Sequence, residues 1–194
     1  KHLTDFIDSV VINAGDGTHE HPTQAILDMM SLQEKFGYIK GLNVAIVGDI
    51  NHSRVARSNI YGLVTMGANV TLCGPPNLIP DNIIDLGVKV NYNIDEVIEW
   101  ADAVNVLRIQ RERMGIGIIP SEREYRALFG VTEERLARRG NELVIMHPGP
   151  MNRGVEIDDR VADSDQAIIL DQVLNGVASR MSILYLLLGS KEEG

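Results

Sequence analysis

Two arginines, Arg54 and Arg108, are the residues best suited to gripping an anion. A guanidinium keeps its charge at any working pH and presents two parallel N–H donors that match a carboxylate. Arg54 stands at the start of a helical pattern, where free backbone N–H groups also favour an anion. Arg108 opens a run continued by Gln110, Arg111 and Arg113. Two carboxylates gripped at once imply a dicarboxylate ligand. Arg111 and Arg113 read instead as a solvated loop paired with Glu112, Glu122 and Glu124, and that bland reading is also open to Arg108. His21 and Gln24 stand three apart at the first turn of another helix and so share a face. An imidazole N–H and a carboxamide placed there could hold a carbonyl oxygen or an amide group. In His147-Pro148-Gly149-Pro150 two backbone N–H groups are missing. The proline carbonyls are then free to accept from an incoming amine.

Other chemistries are not legible. His19-Glu20-His21 has a spacing suited to a loop metal site, but no third ligand can be named, so no metal is expected. Gly48-Asp49-Ile50-Asn51-His52 lacks the G-x-G-x-x-G dinucleotide fingerprint, which weakens a nicotinamide-dependent dehydrogenase reading. Gly62 and Gly67 have P-loop spacing but are followed by Ala68-Asn69 rather than Lys and Ser/Thr. Cys73 is the one cysteine, which excludes an internal disulfide and a cysteine zinc site; it reads as a small buried residue.

The elements that must position these residues alternate. Short apolar runs at 43–48, 69–73, 88–92, 103–107 and 143–146 read as strands. Helical patterns lie at 22–36, 53–66, 81–86, 95–100 (Asp95 as its N-cap), 121–138 and 165–188. The implied fold is α/β, a doubly wound parallel five-stranded sheet whose ligands bind beyond the strands' carboxyl ends. The first of these strands is expected at its centre. The last helix carries Ile168, Ile169, Val173, Val177, Met181, Leu184 and Leu188, too broad a stripe for one sheet to cover. Of 194 residues, 18 are Lys or Arg and 27 Asp or Glu, net −9. That balance argues against a general nucleic-acid or anionic-membrane binder. No apolar run approaches the ~18–20 residues that span a bilayer, and no signal peptide is visible, so a soluble cytoplasmic protein is expected. The chain opens on Lys1 and runs into Val10-Val11-Ile12, read as a strand in want of a partner.

Five segments carry a resemblance: NAGDGTHEHPTQ (13–24), VGDINHSRVARSN (47–59), LRIQRERM (107–114), MHPGPMNRGVEI (146–157) and NGVASRM (175–181). In order and along the whole chain, they resemble the catalytic chains of the aspartate carbamoyltransferase family. The resemblance implies transfer of a carbamoyl group from carbamoyl phosphate to the amine of L-aspartate, an early step of pyrimidine synthesis, without a cofactor. It places His21 at the carbamoyl oxygen and Gln24 at the carbamoyl amino group. Pro148, Gly149 and Pro150 line the carbamoyl site, where some members carry Leu in place of Gly149. Arg54 and Arg108 fall at the aspartate carboxylates, with Gln110 nearby. The related ornithine enzymes use H-P-C-Q and H-C-L-P, whereas this chain has Thr23 and Pro148 at the differing positions.

The family's S-T-R-T phosphate-binding motif, a further phosphate-site arginine, and the Ser and Lys inserted by a neighbouring subunit are absent from these residues. They belong to a part expected to precede Lys1. The resemblance divides the chain into the end of a carbamoyl-phosphate domain (1–22), an aspartate-binding domain (23–164), and a returning helix and tail (165–194). It implies a homotrimer, the missing part supplied as a separate or cleaved piece, and association with a regulatory chain or dihydroorotase as open options. A non-catalytic dicarboxylate-binding fragment or paralogue, and a carbamoyltransferase for another amino acid, remain alternatives.

Overall fold

The computed structural model describes residues 2–109, 121–140 and 142–189. Five parallel strands form one sheet: β1 (Asn43–Val47), β2 (Asn69–Cys73), β3 (Lys89–Val90), β4 (Ala103–Val106) and β5 (Val144–Met146). Their order is β3-β2-β1-β4-β5. The chain builds outward from β1 to β3, then crosses back to lay β4 on the other side of β1. Val47 thus sits beside Cys73 on one flank and Val106 on the other. A crevice opens at such a reversal, beyond the carboxyl ends of β1 and β4.

The helices are α1 (Pro22–Phe36), α2 (Arg54–Thr65), α3 (Ile94–Trp100), α4 (Glu122–Phe129), α5 (Glu133–Arg139), α6 (Asp159–Ala162) and α7 (Ile169–Leu188). Alternation along the strands sorts the core into two layers. Val44, Ile46, Leu72 and Val144 pack with Leu32 of α1 and Ile60 and Leu63 of α2. Ala45, Val47, Val104 and Ile145 pack with Val97 and Ile98 of α3 and with Tyr125 and Phe129 of α4. Both faces are covered, which is why the strands read as unbroken apolar runs. Cys73 is fully buried, and burial pushes its thiol up to about 12.

Several expectations are corrected. Val10 and Val11 are exposed and residues 10–12 form no strand; a strand needs a ladder of backbone partners, and none faces them among the described residues. The N-cap of α3 is Asn93, not Asp95. The Asn93 carboxamide oxygen accepts from the backbone N–H of Asp95 at 3.1 Å, while the Asp95 carboxylate pairs with Arg135. The third strand shrinks to two residues, and the helix expected at 81–86 is a 3-10 turn, Ile83–Leu86. The long final helix starts at Ile169, because Ala167 is held in a parallel bridge to Ile145. Of the expected stripe, Ile168 and Ile169 are buried; beyond Ile169 the buried face of α7 is small and polar: Gln172, Asn175, Gly176 and Ser179. Val173, Val177, Met181, Leu184 and Leu188 point outward and are exposed. Among the described residues no helix is long and apolar enough to cross a membrane.

Candidate active site

Three strand ends and one helix start meet at a cavity of about 300 Å³. Arg54 enters from the first turn of α2. Ser53 starts that helix by accepting the Ala56 N–H on its hydroxyl at 3.1 Å, so the cap fixes where Arg54 begins. Arg108 enters two residues beyond β4. Pro148, Gly149 and Pro150 enter from the loop after β5. The backbones crowd here: a Cβ on Gly48, at φ +134°, would lie 2.9 Å from the Leu107 Cβ. The glycine lets the chain leaving β1 pass directly over the chain leaving β4. Gly15 plays the same part beneath Arg54. Its φ is +121°, and a Cβ there would meet Arg54 Cζ at 2.9 Å. Among the described residues, neither Arg54 nor Arg108 has a carboxylate within ion-pair distance.

A second cavity, of about 200 Å³, adjoins the first, since Pro148 and Gly149 line both. Gln24, His147, Gln172 and Arg180 line the rest of it. Gln24 is buried, and its amide nitrogen donates to Asp28 Oδ1 at 2.9 Å. His147 Nδ1 accepts the Gly149 N–H at 2.9 Å, which folds the proline loop back on the histidine.

His21 lines neither cavity. It is half-buried at the N-cap of α1, with its backbone N–H on the Ser58 hydroxyl at 2.8 Å. The Thr23 hydroxyl lies 3.3 Å from His21 Nδ1. With that hydroxyl donating, Nε2 carries the proton. Burial lowers the His21 pKa below its ordinary 6.5, and the positive charges of Arg54 and Arg180 lower it further. The imidazole is therefore neutral at pH 7, an N–H donor held near two cations.

The structure thus gathers Arg54, Arg108, Pro148, Gly149 and Pro150 in one cavity and sets Gln24 in the next. Gln110 lies outside the described residues, as do Arg111 and Arg113. Among the described residues no cluster of three or more metal-ligating side chains occurs, and His19 is engaged at the surface with Asp16. Sequence reasoning missed Asp49 and His52, which line the first cavity with His52 Nδ1 2.9 Å from Asp49 Oδ1. Their position just after the first strand was the available signal. Arg180 was also missed, because nothing in an outward-looking helix pattern ties it to His21.

Comparison with known proteins bears on this constellation. Residues 40–187 match the family model "Aspartate/ornithine carbamoyltransferase, Asp/Orn binding domain", and residues 1–34 match "Aspartate/ornithine carbamoyltransferase, carbamoyl-P binding domain". The chain belongs to the aspartate/ornithine carbamoyltransferase family. It is 60% identical over 185 residues to the aspartate carbamoyltransferase catalytic subunit of Carboxydothermus hydrogenoformans, a match covering 95% of this chain and 59% of that one. It is 57% identical over 193 residues to the corresponding subunit of Gemmatimonas aurantiaca, covering 100% and 60%. The fold is similar to that of the catalytic subunit of M. jannaschii aspartate transcarbamoylase. The TM-score there is 0.81 at 32% identity, over 100% of this chain and 64% of that chain. This carbamoyltransferase-family chain spans about three-fifths of the length of the curated relatives it matches.

Proposed function

We propose that this chain forms the aspartate-binding side of a carbamoyltransferase that makes N-carbamoyl-L-aspartate and phosphate from L-aspartate and carbamoyl phosphate. The observation that carries the reading is one cavity lined by two guanidinium groups that have, among the described residues, no carboxylate within ion-pair distance, walled by a proline loop it shares with the cavity of Gln24. The names of eight relatives at 53–60% identity, each an aspartate carbamoyltransferase catalytic subunit, support aspartate as the acceptor.

In this reading Arg54 and Arg108 each hold one carboxylate of aspartate. The Pro148 and Pro150 carbonyls orient its amine, which attacks in its neutral form. The amine nitrogen bonds to the carbamoyl carbon, the carbon becomes tetrahedral, and its oxygen gains negative charge. His21 Nε2–H, which lines neither cavity, is assigned to that oxygen on the family resemblance; a typical preorganised donor of this kind contributes about 3 kcal/mol. Gln24 holds the carbamoyl amino group. The bond from carbon to the phosphate oxygen then breaks, and the departing phosphate takes the amine proton. Holding two reactants in contact supplies much of the remaining acceleration. Residues 1–22 are assigned to the carbamoyl-phosphate side, 23–164 to the aspartate side and 165–194 to the returning helix and tail. A cytoplasmic homotrimer completed by the family's phosphate-binding segment is part of the same reading.

The test is an assay of carbamoyl aspartate formation. The chain is assayed by itself and joined to the segment that precedes the matched region in the Carboxydothermus subunit. The joined protein is expected to turn over and the chain alone is not. Turnover by the chain alone would remove the need for the phosphate-binding segment. No turnover by the joined protein, with succinate still bound, would favour a non-catalytic dicarboxylate binder.

A further inference from the structure

The carboxylate of Asp28, on α1, is 2% exposed and lies behind the cavities, between helices and sheet. Four side-chain amides from four elements converge on it. Gln24 Nε2 of α1 donates to Oδ1 at 2.9 Å and Gln172 Nε2 of α7 to the same oxygen at 2.7 Å. Asn59 Nδ2 of α2 donates to Oδ2 at 2.7 Å and Asn105 Nδ2 of β4 at 3.3 Å. A carboxylate is the one side chain that can take four donors without offering any. The donors are committed to it: Asn59 Oδ1 and Asn105 Oδ1 are left buried without a donor of their own. Burial pushes the Asp28 pKa above the usual carboxylate value and the four donated hydrogen bonds oppose that rise; the two bare oxygens are the cost of supplying them.

A carboxamide is planar, with nitrogen and oxygen at opposite corners. Tying Gln24 Nε2 to Asp28 therefore leaves Oε1 as the end offered to the cavity that Gln24 lines. Gln172 is fixed in the same way. Its Nε2 goes to Asp28 and its Oε1 accepts the backbone N–H of His147 at 2.9 Å, directly ahead of Pro148.

We propose that Asp28 is a positioning residue for acyl-group recognition: its buried carboxylate sets the Gln24 carboxamide oxygen-first toward the cavity and, through Gln172, anchors the start of the Pro148-Gly149-Pro150 loop. The proposal rests on the carbamoyltransferase reading above and deepens it. An oxygen-first Gln24 accepts from the amino group of a carbamoyl donor and has nothing to accept from a methyl group. Asp28 thereby sets the preference for carbamoyl phosphate over acetyl phosphate, although it touches neither.

The test uses the joined protein of the preceding experiment. Asp28→Ala is expected to raise the KM for carbamoyl phosphate about tenfold relative to the inhibition constant of acetyl phosphate, the effect of one lost polar contact. The KM for aspartate is expected to rise less than that for carbamoyl phosphate, because the loop loses one anchor while Arg54 and Arg108 are untouched. The Gln24 and Gln172 side-chain amide protons, followed by NMR, should exchange slowly in the parent and lose that protection in the variant. Asn59→Ala removes a donor from the other oxygen; it is expected to lower the melting temperature and leave the carbamoyl-to-acetyl ratio unchanged. If Asp28→Ala does not fold, Asp28→Asn, which keeps the shape but replaces one acceptor oxygen by a donor, should shift the carbamoyl-to-acetyl ratio in the same direction. An unchanged ratio in the folded variant, or all constants moving together with stability, overturns the proposal. If the parent makes no carbamoyl aspartate, the functional reading falls. Amide protection lost on Asp28→Ala would then still uphold the positioning role, and unprotected amides in the parent would overturn it.

Discussion

His21 and Gly15 act on either side of Arg54. The imidazole is held neutral by burial and by the charges of Arg54 and Arg180, so its folded pKa lies below 6.5. Between that folded value and 6.5 the unfolded chain binds a proton that the folded chain refuses. The contribution of this group to stability is thus complete above 6.5 and is lost as pH falls through the window. An NMR titration of the His21 ring is expected to show a midpoint below 6.5, moved upward by Arg54→Met. A midpoint above 6.5 would mean that a carboxylate, not a cation, dominates its surroundings. Gly15 tests the other side. Its added methyl would overlap the Arg54 guanidinium, whose flexible end must move away. At φ +121° the substitution also costs about 1–3 kcal/mol of backbone strain. Gly15→Ala is expected to raise the aspartate KM about tenfold, with a lowered melting temperature. A lowered melting temperature with unchanged KM would free Arg54 from any dependence on the loop.

At the scale of elements, α2 matters because its first residue is Arg54. Ser53→Ala removes the hydroxyl that accepts from Ala56 and should cost about 1 kcal/mol. Urea unfolding measures that loss, and an undiminished midpoint would show that packing alone fixes the helix start. Elements with strong local signals could be read directly. Pro22 at the first helical position and Gly37 in the left-handed conformation delimit α1 at the expected 22–36, and β2 runs over 69–73 as its β-type residues suggest. Where tertiary contacts decide, the local pattern misleads. Asn93 outcompetes Asp95 as a cap because Asp95 is drawn to Arg135, forty residues away. Beyond Ile169 the inward face of α7 is polar because Gln172 and Asn175 meet Asp28 and Ser31 on α1. No hydrophobic periodicity announces such a face. The i,i+4 spacing of Gln24 and Asp28 was a legible fragment of that network; Asn59, Asn105 and Gln172 were not, since only the folded chain brings them together.

Taken as a whole molecule, a chain of net charge −9 places at the switch point of its sheet two arginines without an ion-pair partner among the described residues. Arg54 and Arg108 are there because β1 is central and β4 is its neighbour, so the chain segments leaving both strands converge on one crevice. The candidate-site residues are legible in the sequence by type, and Arg54 and Arg108 by their expected place after strand ends. Their gathering around Pro148 and Gly149 required the sheet order. In the proposed function these two guanidinium groups hold the two acid ends of one amino-acid substrate. The most direct test is the aspartate KM of Arg108→Ala in the joined protein. One lost charge-assisted bidentate contact predicts a rise of about 10- to 100-fold, with the KM for carbamoyl phosphate unchanged; an aspartate KM equal to that of the parent would contradict the account.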